Sequence, residues 1–530
     1  MVVPYKRFTD RTRFDAIVIG SGIGGLGAAA LLAKAGGQRV LVLERHHKAG
    51  GFTHAFRRPG FEWDVGLHYV GQVQERGSQP RALFDYLTDG RLEWRSMPDA
   101  YDRVVIGDLR FDYVRGESRL RESLKAVFPA EARAVDRYFA AIRRCLQRMP
   151  LFFVEKTLPP LPALLLGSAL RAPFLSLARR TTASVLDDIG ARPQLRAILT
   201  AQWGDYGLPP KQSSFGIHAL VTSQYFEGAA YPVGGAGRIA ESLIPTIEKA
   251  GGTIVVAADV DRILLDGKRA IGVRMSDGQE FRARHIVSDA GAAATLGHLL
   301  PGGAPGPVRA VATRIAALQP SMAHLCLYVG VDKQRLKAPL DGTNLWVHPG
   351  LDFDQNLARF ESDSDAPFPY LFISSPSAKD ATFASRHPGH ETVEVVTAMP
   401  FAHFAPWSNT SWQHRGGEYE AIKSKLARRL VTELQCHVPV VSGAIETWEL
   451  STPLSTRHFA NAERGQIYGL AHSPDRFLTR DLRPRTPIQH LFLTGQDVAT
   501  CGVVGALSGA VTTVSAMLGR NLFGVPGHEI

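Results

Sequence analysis

Three stretches of the chain alternate short apolar runs with glycine turns, and the long segments between them follow a different pattern. Ala16–Gly20 is an apolar run that reads as a buried strand. A glycine turn, an Ala/Leu-rich helix over about residues 25–35 and a second strand, Arg39–Glu44, complete a compact βαβ unit. Tyr231–Ala290 returns to this grammar with a helix near Arg238–Ala250. Strands follow around Thr253–Val256, Val260–Leu265, Ala270–Arg274 and His285–Ser288. Asp266-Gly267 and Asp277-Gly278 fall where hairpin turns belong. A last strand, His490–Leu493, runs into a glycine-rich loop and a closing helix. In between, Glu117–Phe128 and Ala130–Met149 are amphipathic at helical spacing, and Leu325–Val329, Leu371–Ser374 and Thr392–Ala398 are strand-like.

With 530 residues the chain is too long for one ordinary core. The pattern predicts an α/β fold with a discontinuous Rossmann-type dinucleotide domain (three-layer ββα) over residues 14–75, 226–300 and 456–525. It carries an α+β substrate domain of mixed sheet and helices over 76–225 and 301–455.

Composition changes this picture little. The apolar share of 45% and charged share of 21% belong to a folded globular protein. A net charge of +10 is spread along the chain without a dense Lys/Arg block, which argues against nucleic acid and favours an anionic membrane surface. Cys145, Cys326, Cys436 and Cys501 stand far apart, so no metal site is expected, and a reducing, cytoplasmic location fits. The uncharged run Ala16–Ala33 is about long enough to cross a bilayer, but its five glycines suit a strand–turn–helix instead.

Gly20-Ser21-Gly22-Ile23-Gly24-Gly25 fits the dinucleotide fingerprint G-x-G-x-x-G between a strand and a helix. Gly20 permits the turn, Gly22 lets backbone approach a pyrophosphate, and Gly25 lets helix and strand pack closely. The helix start then supplies free N–H groups and a positive dipole end. Glu44, followed by Arg45, ends the next strand where an acid should meet ribose hydroxyls. A second glycine pair, Gly50-Gly51, comes six residues later. Near the other end stand Gly495 and Asp497, then Gly505-Ala506 opening a helix whose positive end would favour an anionic reduced flavin.

These pieces resemble the FAD-dependent amine oxidase and phytoene desaturase superfamily, and within it the retinol saturase and carotenoid isomerase branch. The resemblance is carried by Gly50–His54 with FEWDVGLHYVG (61–71), by GDYGLPPKQSSF and YPVGGAGR within 204–238, and by LFLTGQDVATCGVVGALSGA (491–510). It spans residues 14 to about 525. It implies non-covalent FAD, adenine near Val260, and hydrogen added to or removed from a carbon–carbon bond of a long unsaturated lipid, a retinoid- or carotenoid-like polyene or a fatty acyl chain. The electron donor or acceptor is then external, because Gly234–Gly237 reads as the entry to a helix of the FAD domain and not as a nicotinamide site. The same site would also suit a reduced-flavin polyene isomerase. A flavin amine oxidase and an escort-like prenyl-binding protein are further alternatives.

His68 and Tyr69, after the second glycine pair, and His218, in the saturase-like stretch, are the catalytic candidates. Residues 151–180 form the most apolar stretch outside the fingerprint. Pro159, Pro160, Pro162 and Pro173 are expected to interrupt a long helix there. Flanked by Lys156, Arg171, Arg179 and Arg180, the stretch reads as a segment dipping into one leaflet, which would make the protein peripherally membrane-associated.

Overall fold

The computed structural model describes residues 2–10, 12–301 and 306–524, so residues 302–305 and 525 of the expected domain ranges lie outside the described set. An eight-stranded sheet is assembled from distant parts of the chain. Its order is Val2–Pro4, Thr253–Val256, Val40–Leu43, Phe14–Ile19, Glu280–Ser288, Arg269–Met275 and Val260–Asp266, with Leu491–Leu493 also pairing to Glu280–Ser288. The central pairs are parallel and buried, which explains the unbroken apolar runs of their sequences. Glu280–Ser288 is longer than its sequence suggests. Its first residues pair antiparallel with Arg269–Met275, and its second half is parallel to Phe14–Ile19. Val2–Pro4 adds an edge strand that precedes every predicted element.

The helix Ile23–Gly36 packs between Gly237–Lys249 and Gly502–Leu518 beside this sheet. Glycine and alanine make that packing close, since a Cβ on Gly27 would lie 2.6 Å from the Leu507 side chain. A seven-stranded mixed sheet stands apart, in the order Ile445–Ser451, His324–Asp332, His390–Ala398, Leu371–Ser374, Asn344–His348, Ala100–Ile106 and Leu109–Val114. The hairpin of Ala55–Arg58 and Phe61–Asp64 joins the two regions: Phe56 stacks on Trp63 and meets Tyr328 of the second sheet edge-on.

Proline departs from expectation twice. Pro160–Ala178 is one continuous 19-residue helix. Pro160 and Pro162 sit in its first turn, where N–H groups have no helical acceptor to lose, and Pro173 is accommodated inside. Pro232, which lacks the N–H that a buried strand needs, nonetheless ends the buried strand Ala229–Pro232. Pro232 is its terminal residue, so no interior ladder bond depends on it.

Lys156 and Arg171 also sit elsewhere than the leaflet reading placed them. Both are buried: Lys156 Nζ donates to the carbonyls of Leu482 (2.8 Å) and Val498 (2.6 Å), and Arg171 to those of Phe477, Leu478 and Thr479. They clamp the return loop to the helical layer instead of fringing an apolar face.

Candidate active site

The glycine turns from both ends of the chain meet. A Cβ on Gly24 would lie 2.4 Å from Gly495 Cα, one on Gly51 2.9 Å from Gly22 Cα, and one on Gly509 2.2 Å from the Gly495 carbonyl oxygen. Backbone therefore replaces side chains along a cradle that only glycine leaves open. The N-cap residues Gly22 and Cys501 make no side-chain hydrogen bond to the helix starts of Ile23–Gly36 and Gly502–Leu518, and both helices present the positive end of a dipole here.

Glu44 lies at the mouth of the first turn. Its Oε2 accepts from Ser21 N (2.8 Å) and Ser21 Oγ (2.6 Å), and its Oε1 from His46 N (2.7 Å). Arg45 Nε stands 3.4 Å from Asp259, immediately before Val260. Asp497 is buried and accepts from Ala292 N (2.8 Å) and Leu470 N (3.2 Å). Arg476, also buried, backs it at 3.5 Å and donates to the carbonyl of Gln496.

Asp289, passed over in the sequence, completes the cradle. It follows Glu280–Ser288 directly, and its Oδ2 accepts from Gly25 N at 2.8 Å. Burial raises its carboxyl to about 7, the Gly25 N–H pulls it down, and the charges of Glu44 and Asp497 add to the rise. Its signal was position: an acid at the carboxyl end of a central parallel strand lies where such sheets bind ligands.

The N–H groups of Gly234–Ala236 are already committed, Gly234 N to Asp380 and Ala236 N to Asp64. Cys501 is buried, its thiol raised to about 12 by burial, and its N–H donates to His472 Nε2 at 3.0 Å. A neutral thiol of that kind is no nucleophile.

The second sheet faces this region with a row of polar side chains in register. Glu394 pairs with Ser374 and Asn344 with Asp102 across neighbouring strands. Lys379, from the short helix Pro376–Lys379, ties the row together. Its Nζ donates to Ser374 Oγ (2.5 Å), Asn344 Oδ1 (2.8 Å) and the His68 carbonyl (2.7 Å). Burial lowers that ammonium to about 8. Asn344 Nδ2 in turn donates to Asp102 Oδ1 at 2.9 Å. None of Glu394, Lys379, Asn344 and Asp102 carries a motif, so only registration of the strands brings them together.

The three catalytic candidates separate. His68 lies at the end of this row, with Nδ1 3.0 Å from Glu394 Oε2 and its ring edge-on to Phe372. Burial and the neighbouring Lys379 lower it to about 3. Tyr69 stacks on Tyr225, and its hydroxyl lies 3.0 Å from Asp102 Oδ2 and 2.8 Å from Asp205 Oδ2. One hydroxyl hydrogen cannot serve two carboxylates, so one carboxyl is protonated. Asp102 accepts from Asn344, Gln202 and Trp346 as well, which leaves Asp205 as the acid and Asp102 as the carboxylate. His218 stands apart in the helical core, 1% exposed, with Tyr138 Oη 2.8 Å from Nε2 and Tyr206 Oη 3.1 Å from Nδ1.

Comparison with known proteins agrees with this architecture. The family model described as "Flavin containing amine oxidoreductase" matches residues 23–518. The chain is 37% identical over 527 residues to the all-trans-retinol 13,14-reductase of Danio rerio, covering 96% of this chain and 86% of the relative. It is 28% identical over 469 residues to prolycopene isomerase 2 of an Oncidium hybrid cultivar, covering 86% of this chain and 75% of the relative. Among solved structures, putrescine oxidase superposes with a TM-score of 0.61 at 14% identity, covering 96% of this chain and all (100%) of that one, a likeness of fold. The cradle, the two helix starts that converge on it and the acid at the end of the second parallel strand suit FAD, which when bound supplies hydride chemistry. By sequence and by fold alike, this chain belongs to the flavin containing amine oxidoreductase family, and FAD is its cofactor.

Proposed function

We propose that this flavoprotein adds hydrogen across a carbon–carbon double bond of a retinoid-like polyene, drawing electrons from an external donor. The setting of His68 carries the reading. It is an imidazole at the edge of a buried polar row, its ring against Phe372, which stacks in turn on Tyr69 and through it Tyr225, where a proton donor can meet an apolar chain. Similarity over 96% of the chain to a protein named all-trans-retinol 13,14-reductase supports the same reaction class. A cationic amine would need a free carboxylate, whereas Asp102 and Asp205 face Tyr69 and Glu394 faces His68. In this reading His68 donates from Nε2, Tyr69 and Asp205 form the adjacent wall, and His218 holds the helical core.

The test is anaerobic: chemically reduced holoprotein is mixed with all-trans-retinol and the product weighed. A gain of about two daltons is expected, one hydride and one proton. Altered double-bond geometry at unchanged mass would favour polyene isomerisation, the reaction class that the isomerase relative supports. Oxidation of amines without any change to retinol would overturn both.

The helix Pro160–Ala178 is proposed as the membrane contact. Ala163, Gly167, Arg171, Phe174 and Ala178 are buried at helical spacing against the protein. Leu161, Leu164, Leu165 and Leu166 on the other side are 54–71% exposed, beside exposed Leu151, Val154 and Leu478. An apolar patch of this kind, with Arg480 hydrogen-bonded to Ser168 on the same helix, suits a bilayer surface from which a lipid substrate could enter. Holoprotein should co-sediment with vesicles containing phosphatidylserine. Leu164→Glu with Leu165→Glu should lower the membrane partition coefficient about a hundredfold or more, the scale of burying two leucines, while leaving flavin content unchanged. Equal sedimentation of the variant would remove the proposal.

A further inference from the structure

His68 does not stand alone against the substrate space. Its Nδ1 and Glu394 Oε2 are 3.0 Å apart, both are buried, and neither has another hydrogen-bond partner. Two lone pairs held that close in a dry site repel each other unless a hydrogen lies between them. A neutral ring could carry that hydrogen on Nδ1 opposite a carboxylate, but the Glu394 side chain is fully enclosed, where a charge is costly, and this assigns the hydrogen to the carboxyl. Burial raises Glu394 to about 8, against the opposing pull of Lys379 and of the Asp64 N–H. A proton on Oε2 directed at Nδ1 fixes the ring as its Nε2–H tautomer. The Glu394 side chain is fully enclosed while that of His68 is 14% exposed, so the ring connects the carboxyl to the outside.

We infer that Glu394 stores the proton that His68 hands to the substrate, and that Lys379 stabilises the carboxylate left behind. This rests on the reductase reading of the same site.

The neighbours of Glu394 fit the role. Asp64 and Tyr231 hydrogen-bond to each other on one side, and burial raises both well above their ordinary values, so neither competes as a charge. Cys326 and Tyr328, from the adjoining strand, are likewise held neutral by burial. Burial also lowers His324, to about 4. Lys379 is the cation acting on the carboxyl, and Asp102, the carboxylate at the far end of the row, reaches Lys379 through Asn344.

The balance is simple. FAD held in the glycine cradle, once reduced by an external two-electron donor, would supply the hydride, two electrons and one hydrogen, to one alkene carbon. The other alkene carbon takes the hydrogen of His68 Nε2 as that N–H bond breaks, and Nδ1 simultaneously takes the hydrogen of Glu394 Oε2. The ring leaves the step neutral in its other tautomer. The negative charge appears on Glu394 beside the Lys379 ammonium, and water returns one proton to the pair after product release.

Infrared difference spectra of resting holoprotein, wild type minus Glu394→Gln, test the store without any substrate. A protonated-carboxyl band that shifts in heavy water, shifts again in His68→Gln and fades as pH rises through about 8 is expected. Its absence at pH 6.5, or its persistence in Glu394→Gln, would overturn the inference. In turnover, Glu394→Gln should lower kcat about a hundredfold, the lower end for a lost general acid, with KM little changed. Wild-type kcat should fall above about pH 8 as the store empties, a limb that the variant loses and Glu394→Asp partly restores. Full activity with an unaltered pH profile in Glu394→Gln would be equally fatal. Should no polyene be reduced, the proposed function fails while the infrared band still decides where the proton rests.

Discussion

Gly25→Ala is expected to purify without its yellow chromophore. The new methyl carbon would lie 2.2 Å from the carbonyl oxygen of Gly20 and 3.2 Å from Asp289 Cβ. The first neighbour is backbone inside the tight turn, so no side chain can swing away to make room. The helix Ile23–Gly36 must then back off the strand Phe14–Ile19, taking with it the N–H groups that meet the cofactor. A stability loss of about 3 kcal/mol or more is expected, the range of overpacking against rigid neighbours. Gly297→Ala is the control. No atom lies within 4 Å of its would-be Cβ, so it should keep full flavin content and lie within about 0.5 kcal/mol of the parent. Visible absorbance per protein and thermal unfolding check both, and flavin retained by Gly25→Ala would refute this account of the turn.

Asp289→Asn is expected to flatten part of the pH dependence of stability. An unfolded aspartate releases its proton near 3.8, whereas the folded chain holds it to about 7. Between those values the folded state binds more protons, so stability falls as pH rises through that window and stays reduced above it. The difference corresponds to roughly 4–5 kcal/mol at about 1.4 kcal/mol per unit. An asparagine keeps an oxygen for the Gly25 N–H without the charge. The variant should therefore match the parent near pH 4 and melt several degrees above it at pH 8.5. Equal melting temperatures at pH 8.5 would mean that Asp289 carries no such penalty. The same exchange also removes negative charge from the helix end that receives phosphates, so flavin retention above pH 7 should improve alongside.

Much of the cofactor side was legible from the residues because it is built locally. A strand, its glycine turn and the helix start lie within twenty residues, and the chemistry follows from backbone shape and dipole, which spacing alone encodes. The strands Thr253–Val256 and Leu371–Ser374 were found to the residue for a related reason: a strand buried on both faces has no polar interruption to blur its ends. The helix Pro160–Ala178 was misjudged because a proline's effect depends on whether its missing N–H would have had a partner. Lys156 and Arg171 were misplaced because a cation's surroundings are set by which carbonyls the return loop brings to it.

The amino-acid sequence thus determined the dinucleotide grammar, the interleaving of two regions along one chain and the apolar character of the Pro160–Ala178 segment. Each of these depends on neighbours in the chain or on periodicity. Only the tertiary structure decided that Asp289 caps the fingerprint helix, that His218 serves the core while His68 faces outward, and that Glu394, Lys379 and Asp102 share one row. Asp102 lies far from Lys379 and Glu394 in the sequence, and the protonation of these groups is governed by burial and by the charges that strand registration sets beside them. Neither quantity exists until the chain has folded.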